Sequence, residues 1–83
     1  MTTFFKQRRD ELELRQRDIA RALDMTESAI GSWERGEAVP RLKLAPRLAV
    51  VYRVSAERIE SEIVKQSRKL TAARELAGAG AEE

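Results

Sequence analysis

The side chains able to do chemistry here suit recognition and not bond-making. The 83 residues include no cysteine and no histidine. Disulfides and thiolate metal sites are thereby excluded, and the commonest general base and zinc ligand are missing. Acid–base catalysis would rest on carboxylates and lysines alone, and no convergent pair stands out. Neither an enzyme nor a bound metal or cofactor is expected. The polar chemistry concentrates in one stretch, Gln16 to Gly36, QRDIARALDMTESAIGSWERG. There, hydrogen-bonding and charged side chains alternate with apolar ones at helical spacing.

That stretch reads as two short helices joined by a tight turn. Ile19, Ala20 and Leu23 share one helical face, and Ile30 and Trp33 mark a second. Asp24-Met25-Thr26 lies between them. Thr26 is a suitable N-cap, because its hydroxyl can accept from an orphan backbone N–H. A second helix that presents its own N-terminus is the geometry that carries side chains into a DNA major groove. Trp33, paired with Ile30, fits core packing better than base stacking.

Other elements must hold this pair in place. Phe4 to Glu13 is predicted as the first helix, capped by Thr2 or Thr3, with Phe5 and Leu12 on one face. Arg15 is a poor cap, so the second helix is expected to fray at its start or to use Gln16. The third helix is expected from Thr26 to about Arg35, with Gly36 in the left-handed position that closes it. Gly31 inside that helix costs roughly 1 kcal/mol against alanine. Either it is simply tolerated, or it keeps the helix face low so that backbone can approach DNA. Pro46 restricts the start of the fourth helix to near Lys43 or Leu44, since proline is comfortable only in the first turn. Leu42 to Val54 carries too many apolar residues for one stripe, which points to cover on more than one side, with another copy of the chain as the expected second cover. Ser55 caps a final helix running to about Ala77. Ile59, Ile63, Leu70 and Ala77 fall near a heptad seam, with Gln66 and Ala73 in its other positions. Two readings stay open for it: a solvated helix held only at its start, or a dimerisation or partner-binding arm. The expected division is residues 1–60, a helical extension over 61–77, and a disordered tail over 78–83.

Composition agrees with a small folded domain. Hydrophobic residues make up 42% and charged residues 36%. A core this small supplies roughly 3–5 kcal/mol of net stability, so dense helix packing or oligomerisation is expected. The net charge of +2 is uneven: residues 1–55 hold 11 basic and 8 acidic residues, residues 56–83 hold 5 and 6. A basic front and slightly acidic rear suit a nucleic-acid binder weakly. No apolar run nears the roughly 20 residues that span a bilayer, and no secretion signal opens the chain, so a cytoplasmic location is expected.

The order of these motifs resembles the helix-turn-helix family of Cro and CI phage repressors, also called the xenobiotic-response-element family. Arg9, Gln16, Ile19-Ala20, Thr26, Ile30, Trp33-Glu34-Arg35-Gly36 and Pro40 carry the resemblance, over about residues 4 to 59. It implies an all-α, five-helix lambda-repressor-like DNA-binding domain, here with an extended C-terminal helix. It further implies a sequence-specific transcription regulator, most often a dimeric repressor on a pseudo-palindromic operator, with helix three as reader. Position by position, Glu27, Ser28 and Ser32 stand where the family contacts bases. Gln16, Arg15, Thr26, Arg35 and Arg41 stand on the phosphate-contacting side, and the Arg35 position also reaches a base in some members. Arg9 and Glu34 match a buried ion pair between helices one and three. Val50, Val51, Ile63 and Leu70 are the candidates for a homodimer or protein-partner interface. An alternative is an antitoxin-like or adaptor protein whose last helices clasp a partner.

Three departures from the family pattern matter. The reading positions hold no Gln, Asn, Arg or Lys, the usual bidentate base readers. Glu27 can accept from a cytosine amino group but repels phosphate, so DNA shape is expected to carry more of the specificity. Glu13 and Arg53 replace glycines common at helix ends, which must then close differently or bear strain.

Overall fold

The computed structural model describes the backbone of residues 3–81 and the side chains of residues 3–76. Five α-helices follow one another: α1 (Phe4–Glu11), α2 (Gln16–Leu23), α3 (Glu27–Glu34), α4 (Ala45–Tyr52) and α5 (Ala56–Ala81). A single 3-10 turn, Leu42–Leu44, leads into α4. Among the described residues there is no strand. The all-α, five-helix expectation therefore holds.

The core is where the helix faces meet. Phe5, Ile19, Ile30, Leu48, Tyr52 and Ile59 are completely buried, with Leu23, Trp33, Ala45 and Ile63 nearly so. Each helix contributes at least one of these side chains. Full burial of such a side chain is worth about 1.5–3 kcal/mol against leaving it in water. The aromatics meet edge-on or tilted, with Phe5 centred 5.9 Å from Trp33 and 5.5 Å from Tyr52. Trp33 is thus a core residue that fixes the inner side of α3.

Helix boundaries follow from local chemistry. Thr3 caps α1, its hydroxyl accepting from the Lys6 N–H at 3.4 Å and donating to the Glu34 carbonyl at 3.0 Å. Thr2 lies outside the described residues. Helix α1 stops at Glu11, two residues earlier than expected, because Glu13 adopts a left-handed φ of 57°. Arg53, the second replaced glycine, also sits left-handed at φ 55°. Arg8 braces that second end: its Nε donates to the Tyr52 carbonyl at 2.8 Å and its Nη2 to the Arg53 carbonyl at 3.0 Å. A cation there satisfies orphan carbonyls and complements the helix dipole.

The start of α2 uses neither Arg15's side chain nor Gln16 as its cap. The Asp18 carboxylate reaches back to accept from the Arg15 N–H at 2.8 Å. Helix α3 begins as expected, with Thr26 accepting from the Ala29 N–H at 3.2 Å, and Gly36 follows it at φ 76°. Pro46 falls in the first turn of α4, which begins one residue beyond the expected range, after the 3-10 turn.

Helix α5 departs most from expectation. Its first turns are part of the core: Ile59, Ile63 and Gln66 are all buried. A boundary at residue 60 would cut through this packing. The Gln66 amide donates to the Trp33 carbonyl at 2.9 Å and the Ala38 carbonyl at 2.8 Å. Helix α5 is therefore fastened to the end of α3 and the loop beyond. Past Leu70 the helix leaves the core, and residues 71–76 are exposed. It runs on to Ala81, so residues 78–81 of the expected disordered tail are helical, while 82–83 lie outside the described residues. No helix is long and apolar enough to cross a membrane, among the described residues.

Candidate nucleic-acid interface

Helix α3 is sharply two-sided. Ile30, Trp33 and Glu34 are buried on its inner side. Glu27, Ser28 and Arg35 are exposed on the outer side, and Ser32 is half-buried there. The outer row runs Glu27, Gly31, Arg35 at steps of four, with Ser28 and Ser32 beside it, so all lie along one helical face. The three sequence-predicted base-contacting positions thus share a surface. They carry three oxygen-bearing side chains and no amide or guanidinium.

The cations lie around that face. Arg15, Arg35 and Arg41 are exposed, as is the hydroxyl-bearing Thr26 at the N-terminus of α3. Sequence reading passed over Arg17 and Arg21. They are one helical turn apart on α2 and line a shallow cleft with Thr26 and Glu27. Their spacing of four, which puts both on one face of α2, was the available signal. Both are exposed, and among the described residues neither has an ion-pair partner.

Gln16 behaves differently from a plain surface residue. It is half-buried at the start of α2, and its Nε2 donates to Glu34 Oε1 at 3.1 Å. An amide nitrogen carries two hydrogens. One is spent inward and the other remains for an outside acceptor.

Behind Gln16 stands the Arg9–Glu34 pair. Arg9 Nε and Nη2 reach the two Glu34 carboxylate oxygens at 2.6 and 2.9 Å. Arg9 Nη1 donates as well to the Leu14 carbonyl at 2.8 Å. The Glu34 side chain is only 3% exposed and that of Arg9 13%. Burial disfavours the Glu34 charge, but hydrogen bonds from Arg9 and Gln16 and the Arg9 charge outweigh it. The Glu34 carboxyl is held below the usual range. Arg9 is pushed up by the Glu34 hydrogen bond, against the cost of its own burial. The pair ties α1 to α3 and, through Gln16, to α2. Nearby, the Tyr52 hydroxyl is buried without a hydrogen-bond partner among the described residues. Burial first, and then the Glu34 charge, push its pKa well above the usual phenol value.

The interface candidates on the far side divide. Ile63 is 3% exposed and belongs to the chain's own core, so it is not available to a partner. Val51 is half-buried against that core. Val50 is 78% exposed. Leu70 is half-buried in a groove of about 400 Å³ between α1, the Arg35–Gly36 turn and α5, which Phe4, Lys69 and Ala73 also line. Leu42, expected beneath cover, is exposed with Val50.

The residues here could hold a backbone phosphate or a base edge. Among the described residues no cluster of acidic side chains could hold a metal ion. A family model described as helix-turn-helix matches residues 5–59, from α1 into the first turn of α5. No curated protein and no solved structure matches the chain. With the matched segment covering well over half the chain, the protein belongs to the Cro/CI-type, or xenobiotic-response-element, family of DNA-binding helix-turn-helix transcription regulators.

Proposed function

We propose that the chain is a sequence-specific repressor that acts as a homodimer on a pseudo-palindromic operator, with α3 in the major groove. The carrying observation is the two-sidedness of α3. Ile30 and Trp33 are locked into the core while Glu27, Ser28 and Ser32 line the opposite face. Two copies would set two such helices about 34 Å apart, one turn of DNA. Arg15, Arg35, Arg41, Thr26 and the second N–H of Gln16 supply phosphate contacts, which makes binding steeply salt-dependent. Arg17 and Arg21 extend that basic rim. Glu27 and the two serines supply sparse base readout, and DNA shape the remainder. A cytoplasmic location accords with this role.

Electrophoretic shifts on a set of operator variants test this reading. Arg41→Ala should weaken binding to all duplexes alike. Glu27→Ala or Ser28→Ala should change which operator is preferred. Identical behaviour of the two classes would refute α3 as the reader.

A second reading is favoured by α5. Its exposed stretch past Leu70 and the groove lined by Phe4, Leu70 and Ala73 suit an antitoxin-like or adaptor protein that clasps another protein. A pull-down with the product of a neighbouring gene separates it from the first, since it requires a stable heteromeric complex.

A further inference from the structure

Arg35 is the most constrained exposed cation on the α3 side of the molecule. It follows α3 directly, and its side chain turns back along the helix. Its Nη1 lies 2.9 Å from where a Cβ on Gly31 would stand, and Gln16 Nε2 lies 3.6 Å from the same point. The missing side chain at Gly31 is therefore the space in which guanidinium and amide lie together. The Arg35 guanidinium fills the gap beside that glycine, and a Cβ there would press on the far end of a flexible side chain, which can shift.

The other edge of the guanidinium is already taken. Arg35 Nε donates to Glu37 Oε2 at 2.9 Å and Nη2 to Glu37 Oε1 at 3.3 Å. Both side chains are more than half exposed, so solvent screens the pair without hiding it. Two parallel N–H groups are the fork by which arginine grips a phosphate. Glu37 occupies the Nε–Nη2 fork, while Nη1 is turned against α3. The hydrogen bond between them is the leading reason Arg35 is pushed up and Glu37 down from their ordinary pKa values.

We propose that Glu37 is an internal competitor for DNA phosphate at Arg35, holding the guanidinium edge that a backbone phosphate would take and so limiting affinity for every duplex. The proposal rests on the DNA-binding reading above and on Arg35 as a phosphate contact. Its logic is a count of charges. With Glu37 in place, Arg35 brings no net charge to the DNA. Without it, Arg35 neutralises one more phosphate and displaces its condensed counterion.

Fluorescence anisotropy with two labelled duplexes tests this, one selected from a random pool and one unrelated, between about 50 and 200 mM salt. The proteins are the wild type, Glu37→Gln, Arg35→Ala and the double variant. Glu37→Gln should bind both duplexes roughly three- to ten-fold more tightly, where tenfold corresponds to about 1.4 kcal/mol. The slope of log K against log salt should steepen by about 0.9. Both gains should vanish in the double variant. An unchanged or weaker Glu37→Gln would overturn the proposal, since Glu37 would then be idle or a support for Arg35. So would a gain that persists without Arg35, which would reflect the general loss of a negative charge. If wild type and all variants failed to bind any duplex at the lowest salt, the DNA reading of this face would fall, and the competitor role with it.

Discussion

At the scale of single residues, the pair that decides most is Arg9–Glu34. It is two-pronged, nearly dry on the Glu34 side, and joined to Gln16. Breaking a buried pair from one side strands the other charge, which costs about 3–5 kcal/mol. Glu34→Gln should therefore lower the unfolding free energy by that order in a urea titration at neutral pH. The pH dependence follows from the sign of the shift. The folded carboxyl titrates below its unfolded value of about 4.3. In that window the unfolded chain binds more protons, so stability rises with pH. The contribution is complete above about pH 5 and is lost as acid titrates the folded group. Wild-type stability should fall in this range, and Glu34→Gln should flatten the fall. Equal acid slopes in the two proteins would show that other carboxylates control acid unfolding.

At the scale of elements, the fastening of α5 is the feature least visible in the sequence. Gln66 occupies a seam position between Ile63 and Leu70, where a polar residue reads as a weakness. The structure makes it a clamp on two carbonyls, that of Trp33, which also accepts from the Gly36 N–H at 3.2 Å, and that of Ala38 in the next loop. Gln66→Ala should cost about 1–3 kcal/mol, the usual penalty for stranding buried polar groups. Denaturant titration should show a lowered midpoint with an unchanged slope, and a midpoint identical to wild type would deny the clamp its role. The contrast with α2 and α3 is instructive. Their faces were legible because Ile19, Leu23, Ile30 and Trp33 repeat at helical spacing, and because Thr26 and Gly36 mark where α3 begins and ends. Such local rules reach only a few residues. The cap that Asp18 supplies to α2, three residues past Arg15, is within their reach. The Arg8 contacts to Tyr52 and Arg53 and the Gln66 contacts to Trp33 and Ala38 join residues far apart in sequence, so no local pattern announces them. The same holds at the site. The positions of Glu27, Ser28 and Ser32 on one face were readable, whereas the closeness of Arg35 to Gly31 and Gln16 required the folded chain.

At the scale of the whole molecule, the shape is set by one helix outrunning its core. The principal extents are 44 × 24 × 22 Å, and 26 residues of α5 at 1.5 Å each span about 39 Å. Among the described residues its buried side chains end at Gln66, and residues 71–76 are exposed, so that stretch adds little to the fold of one copy. Exposed Leu76 on this arm and half-buried Leu70 at its base are then left for something else to cover. If the proposed homodimer forms there, removing residues 71–83 should leave a cooperatively folded helical domain, because among the described residues no buried core side chain lies in that stretch. The same deletion should convert the dimer to a monomer in sedimentation equilibrium at matched concentration. Binding to a pseudo-palindromic duplex should then weaken by orders of magnitude, because two linked half-sites become two separate ones, while affinity for a single half-site should hardly change. A truncated chain that stayed dimeric would move the interface to the exposed Val50 side of α4. A full-length chain that sedimented as a monomer at every concentration would remove the homodimer altogether and leave α5 to a different protein partner.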